Sequence, residues 1–172
     1  MDRFVIQGPN TLEGSIRTDG SKNAALPIMA GALLIDKGET VIKNVPPLRD
    51  INTFIQVLEF LGAKVRYDRK KCVVTIDASE LNSNTAPYEL MRQMRASFLV
   101  LGPILARLGE ARVSLPGGCS LGARPVDYHI KAFQRLGAKI KEDAGYVVAS
   151  GKPLTGQVVY FDRPSHTGTE NL

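Results

Sequence analysis

The residues with the most chemical potential fall in one stretch, Pro116-Gly117-Gly118-Cys119-Ser120-Leu121-Gly122-Ala123-Arg124-Pro125. Its glycines give the backbone freedom and its two prolines pin the ends, as a mobile lid with fixed anchors requires. Cys119 sits at the centre, with Arg124 close in sequence. A guanidinium beside a thiol draws its pKa down from about 8.5 toward neutrality, where one group can both donate and lose a proton. On the residues alone two readings stay open: a reactive thiol, or an incidental surface thiol with Arg124 merely solvated.

A second pattern concerns cations at helix starts. Lys22-Asn23, after the capping residue Ser21, precedes an apolar run over 24–35, and Arg95 precedes another over 96–106. A helix N-terminus presents free N–H groups and a positive dipole end, so it favours acidic side chains. Cations placed there make sense if an anion such as a phosphate binds between them. The competing reading is chance placement of common residues. The remaining inventory is thin. His129 and His166 are far apart, no Cys/His/carboxylate set has metal-ligand spacing, and neither GxGxxG nor a P-loop occurs. His129 lies on an amphipathic helix and reads first as a surface or core residue.

These groups are carried by a repeat. Leu61-Gly62-Ala63-Lys64 recurs 75 residues later as Leu136-Gly137-Ala138-Lys139, and Gly38-Glu39 recurs 71 residues later as Gly109-Glu110. The 4-residue difference falls in the Cys119 stretch, which lengthens one copy of a connection spelled Val45-Pro46-Pro47-Leu48-Arg49 in the other. A loop lengthened in one repeat only is a candidate functional loop. Each unit predicts an apolar, buried helix, a short strand (near 40–43 and 111–115), an amphipathic helix and a hairpin. Ile51, Phe54, Ile55, Leu58 and Leu61 mark the amphipathic face in the first unit, and Ile130, Phe133 and Leu136 in the second. The hairpins pair 64–67 with 73–76 and 139–141 with 146–149. Asp68-Arg69-Lys70-Lys71 forms the first turn, and Cys72 is a structural residue on the following strand. A third unit opens with a strand over 157–161 and a helix from Gly168. That helix is expected to run past Leu172, which reads the chain as part of a longer one.

Among 172 residues, 22 are basic and 17 acidic, a net charge of +5 that suits anionic partners. Aromatics make up only 6% and Trp is absent, which leaves little for stacking nucleic-acid bases. No stretch reaches the ~18 apolar residues of a membrane span. The opening MDRFVIQG is too short in apolar residues for a secretory signal. With two scattered cysteines, the expectation is a reduced, cytoplasmic protein that binds neither nucleic acid nor membrane.

The stretches GSKNAALPIMAGALL (20–34), MRASFLVLGPILARLG (94–109) and LPGGCSLGARPVDYHI (115–130) closely resemble the UDP-N-acetylglucosamine enolpyruvyl transferases of peptidoglycan synthesis. The resemblance runs along the whole chain, and the cysteine loop is its most specific part. It implies an α/β fold, an inside-out α/β barrel of repeated βαβαββ-type units with buried helices, here incomplete. Residues 1–21 would form a first strand packed with a second domain, and 22–172 most of the first domain. It implies a cofactor-free and metal-free transferase acting on phosphoenolpyruvate and UDP-N-acetylglucosamine. Carried over by position, Cys119 is the proton donor, and Lys22, Asn23 and Arg124 hold the phosphoenolpyruvate phosphate. Arg95, Arg124, Pro125, Val126, Asp127, Tyr128, His129, Arg163 and Ser165 would contact the UDP-sugar. Arg163 stands where a lysine is usual, in a segment one residue longer than the common pattern. The family's general-base aspartate and further arginines would lie beyond Leu172, so the chain by itself is expected to be inactive. A sister transferase acting on shikimate 3-phosphate, RNA 3′-phosphate cyclases and a binding-only role are the alternatives. The PGGC loop and the ARPVD segment speak against the first.

Overall fold

The computed structural model describes residues 3–115, 126–151 and 153–172. Its elements follow the repeat. Helix α1 (Lys22–Gly31) runs into a 3-10 turn (Ala32–Leu34) and then β1 (Glu39–Lys43), α2 (Arg49–Phe60) and the hairpin β2 (Lys64–Asp68) and β3 (Val73–Asp77). A short linking pair, β4 (Thr85–Ala86) and α3 (Tyr88–Met91), leads to the second copy. That copy comprises a 3-10 segment (Arg95–Val100), α4 (Leu101–Leu108), β5 (Glu110–Ser114), α5 (Asp127–Arg135), β6 (Lys139–Asp143) and β7 (Tyr146–Ser150). Helix α6 (His166–Asn171) follows.

The two sheets share one topology. The first has strand order β1-β3-β2, all antiparallel, with Glu39 opposite Asp77 and Val65 opposite Ile76. The second has order β4-β5-β7-β6, in which β5, β7 and β6 repeat that pattern and β4 adds a parallel edge. In each sheet alternate residues of the central strand, Val74 and Ile76 or Val147 and Ala149, are buried, as a strand with one face on a core requires. The hairpin turns differ. Ala144 and Gly145 both have positive φ, 48° and 80°, which gives a tight two-residue turn whose twist matches the strands. The first turn is longer, and Asp68 Oδ1 accepts from the Lys70 and Lys71 amides at 3.1 and 3.0 Å. Cys72 closes this turn with φ 54° and does not belong to the strand, contrary to its sequence assignment.

The helices supply the core. Leu101, Gly102, Pro103, Ile104 and Leu105 are consecutive and all buried, so α4 is covered on every side over its first turns. Helix α1 buries Ala25, Leu26, Met29 and Ala30, but Ile28 and Leu34 remain about half exposed. The expectation of an all-round buried helix therefore holds for Leu101 to Leu105 of the second copy, where 95–100 is a 3-10 segment and Ala106 and Leu108 are exposed, and for one face of the first. Helix α2 buries Ile51, Phe54, Val57 and Leu58 at 3/4 spacing, with Asp50 in its first turn. Arg107 joins the copies: its Nη1 donates to the carbonyls of Leu33, Ile35 and Ala78 at 2.9, 3.2 and 2.6 Å. Residues 157–161, expected as a strand, carry none. Among the described residues no strand lies beside this run to complete a ladder, and Tyr160 is 89% exposed.

Gly102 sits where α4 meets α6, so close to the Asn171 carbonyl that a Cβ would overlap it. Gly102→Ala is expected to destabilise the chain by about 1–3 kcal/mol through overpacking, read as a lower urea midpoint at unchanged slope.

Candidate functional site

Two clusters hold the residues singled out by sequence. The first is the start of α1. Ser21 Oγ caps the helix by accepting from the Ala24 amide at 3.3 Å, and no acidic residue lies in the first turn. Lys22 is half-buried and Asn23 exposed. Lys22 Nζ reaches across to Asp50 Oδ2 in the first turn of α2, 2.6 Å away. Sequence reasoning did not find Asp50. Its only local signal was an acidic residue at a helix start, which ordinary dipole preference already explains.

The second cluster lies around α5 and α6. Val126 precedes α5 without a side-chain cap. Asp127 and Asp162 both lie 4.0 Å from Lys131 Nζ, and Asp127 Oδ1 is buried with no hydrogen-bond partner among the described residues. The Tyr128 ring meets Phe161 edge-on, centroids 5.8 Å apart. Together with Arg135, Tyr160 and neighbouring side chains, these two rings line a cavity of about 420 Å³. Ser165 Oγ accepts from the Gly168 amide at 3.1 Å and starts α6, while Arg163 is exposed just before it.

His129 behaves differently from its neighbours. It is only 5% exposed, with Phe98 edge-on to its ring at 5.3 Å. Asn171 Oδ1 accepts from the Gly102 amide at 3.0 Å, which orients the amide so that Nδ2 donates to the Phe98 carbonyl at 3.2 Å. The same Nδ2 lies 2.9 Å from His129 Nδ1, so that ring nitrogen accepts and the ring proton belongs on Nε2, 3.4 Å from Thr167 Oγ1. The imidazole therefore faces inward and fastens α5 to α6 and to the 95–100 segment. The core reading of this histidine holds for its side chain.

Cys119, Arg124 and Pro125 lie outside the described residues, and so does the side chain of Arg95. Contacts between elements run from α1 to the 95–100 segment, from there to α6, and from α6 to α5. The segment opened by Arg95 thus stands between the Lys22 cluster and the Asp127–Ser165 cluster. Among the described residues no helix is long and apolar enough to cross a membrane.

Repeated buried helices behind sheets, with a lysine at one helix start and a polar cluster beside another, define an α/β protein of the enolpyruvyl transferase fold. Residues 6–172 match the family model described as EPSP synthase (3-phosphoshikimate 1-carboxyvinyltransferase), and the chain belongs to that family. Among solved structures, the enolpyruvyl transferase NikO from Streptomyces tendae superposes with a TM-score of 0.71 at 25% identity, covering 86% of this chain and 32% of that one. An EPSP synthase from Acinetobacter baumannii gives 0.63 at 20% identity over 92% of this chain and 36% of its own, a likeness of fold. Curated relatives named UDP-N-acetylglucosamine 1-carboxyvinyltransferase are closer in sequence. Those of Desulfosudis oleivorans and Dichelobacter nodosus are each 52% identical over all 172 residues, 40% and 41% of their own lengths. The chain thus spans about two fifths of the relatives it matches.

Asn171 ties three segments together, and cutting its side chain leaves the Gly102 amide and the Phe98 carbonyl without that partner. Asn171→Ala is expected to cost about 2–4 kcal/mol, measured by urea unfolding, whereas an exposed neighbour such as Thr169 tolerates the same change.

Proposed function

We propose that this chain belongs to a cytoplasmic enzyme that moves the enolpyruvyl group of phosphoenolpyruvate onto the 3-hydroxyl of UDP-N-acetylglucosamine, the first committed step of peptidoglycan synthesis. The observation that carries the reading is identity of 52% along the entire chain to relatives bearing that activity in their name. The family model carries the name of the sister reaction on shikimate 3-phosphate, and the names of the 52%-identical relatives favour the UDP-sugar as acceptor.

The reaction is an addition followed by an elimination. A proton is added to the methylene carbon of phosphoenolpyruvate, and the sugar 3-hydroxyl, losing its own proton to a base, attacks the neighbouring carbon. The tetrahedral adduct then loses phosphate and a proton to restore the vinyl ether. This chemistry needs an acid, a base and cations around phosphate and carboxylate. Cys119 supplies the acid. Lys22, with Asn23 beside it and Arg124, holds the phosphate. Arg95, Arg124 to Tyr128, Arg163 and Ser165 contact the UDP-sugar, with His129 acting through the anchoring of α5. Residues 1–21 pack as a strand with a second domain. The base lies in sequence the chain does not include, so the 172 residues alone release no phosphate from phosphoenolpyruvate in the presence of UDP-sugar. Measurable release by the purified chain would overturn that assignment.

Calorimetric titration tests the acceptor. Heat with UDP-N-acetylglucosamine and none with shikimate 3-phosphate is the expected result, and the reverse would transfer the chain to the sister reaction. Lys22→Gln is expected to weaken phosphoenolpyruvate at least tenfold more than UDP-sugar, since one ionic contact to phosphate is worth about 1.5–3 kcal/mol. Equal losses would remove Lys22 from the phosphate site.

A further inference from the structure

The Lys22 ammonium already has an anion, and the chain is built to keep it there. Asp50 and Lys22 are 28 residues apart in sequence and lie on different helices, yet Nζ and Oδ2 meet at 2.6 Å with both side chains 37% exposed. The backbone on either side enforces the meeting. Gly20, two residues before Lys22, lies against the Asn44 carbonyl so closely that a Cβ would overlap it. Asn44 adopts φ 60°, and the next residue, Val45, donates its amide to the Cys72 carbonyl at 2.8 Å. The connection from β1 to α2 is thereby tied to the entrance of β3. In turn it seats the approach to α1 and sets the two helix starts side by side. A half-exposed ion pair adds little stability, so this construction serves placement of the charge.

We propose that Asp50 is a positioning residue for Lys22 and the resident anion with which an incoming phosphate must share the ammonium. The inference rests on the reading of Lys22 as a phosphate holder. An ammonium has three donors, so it can keep Asp50 and still donate to phosphate oxygens. The carboxylate nevertheless repels a phosphate dianion at the same mouth, and a neutral pair attracts it less than a lone cation does. A ligand bringing a single phosphate is therefore held weakly. One with a second anionic group to engage other cations, as phosphoenolpyruvate has, overcomes the deficit. Asp50 thus discriminates against free phosphate, the leaving group of the proposed reaction.

The test is an NMR titration of the 172-residue chain with inorganic phosphate at low ionic strength, following the amides of residues 21–25 in four forms: unaltered, Asp50→Asn, Asp50→Ala and Lys22→Gln. Asp50→Asn keeps an acceptor for the ammonium and removes the charge, so phosphate binds roughly three- to tenfold tighter, a gain that shrinks as salt is raised. Asp50→Ala also frees the ammonium to wander and falls below Asp50→Asn. A merely structural partner would give no gain in either. An Asp50→Asn form that binds phosphate no better than the unaltered chain, or not at all, overturns the inference, and so does Asp50→Ala matching Asp50→Asn. If these fail while Lys22→Gln still weakens binding, the reading of Lys22 stands without this role for Asp50. If Lys22→Gln titrates like the unaltered chain, the phosphate reading of Lys22 falls and takes the inference with it.

Discussion

Helical segments with almost no polar side chain must be covered on several sides at once, and that requirement organises this chain. Leu101 to Leu105 is an unbroken buried run at the start of α4. A sheet can shelter only one face of such a helix, so other helices must take the rest. Small residues make the approach possible: Gly102 admits the end of α6 where any Cβ would clash. Each sheet then needs only one apolar face, which is why Val74 and Ile76, or Val147 and Ala149, alternate with residues turned to solvent.

The same requirement places polar chemistry at helix ends. The residues proposed to meet the substrates gather at helix starts: Lys22 on α1, Arg95 before α4, Asp127 on α5 and Ser165 before α6. The segment from Arg95 to Val100 touches both α1 and α6 and so holds the two clusters in one frame. Asn171 and His129 are the internal polar fastening of that frame. Asn171 accepts from the Gly102 amide and donates to the Phe98 carbonyl, and His129 joins through its own contact with the Asn171 amide.

Much of this was legible in the sequence because repetition reports on itself. The two LGAK segments located both amphipathic helices and both hairpins, and the strand order in the two sheets agrees with a duplicated unit. What escaped was non-repeating or non-local. Thr85–Ala86 and Tyr88–Met91 are too short to leave a periodic trace. Cys72 looked like part of an alternation, but turn geometry claimed it, since Asp68 can bind two amides only if the chain curls back. The inward course of His129 depends on Asn171, 42 residues away, and the pairing of Lys22 depends on Asp50. No local spacing announces either contact. The strand expected over 157–161 has the right residues and, among the described residues, no strand to pair with. The Cys119 stretch, whose glycines, thiol and arginine are adjacent in sequence, lies outside the described residues.

Arg107 gives the duplicated architecture a property that neither copy has alone. Its guanidinium donates to the carbonyls of Leu33 and Ile35, where the first buried helix ends, and of Ala78, just past β3. Those carbonyls belong to the first copy and the arginine to the second. Separating the copies would break all three hydrogen bonds at once. A foreign second copy without an arginine at this position would leave the end of the first buried helix and the exit of β3 without their shared donor.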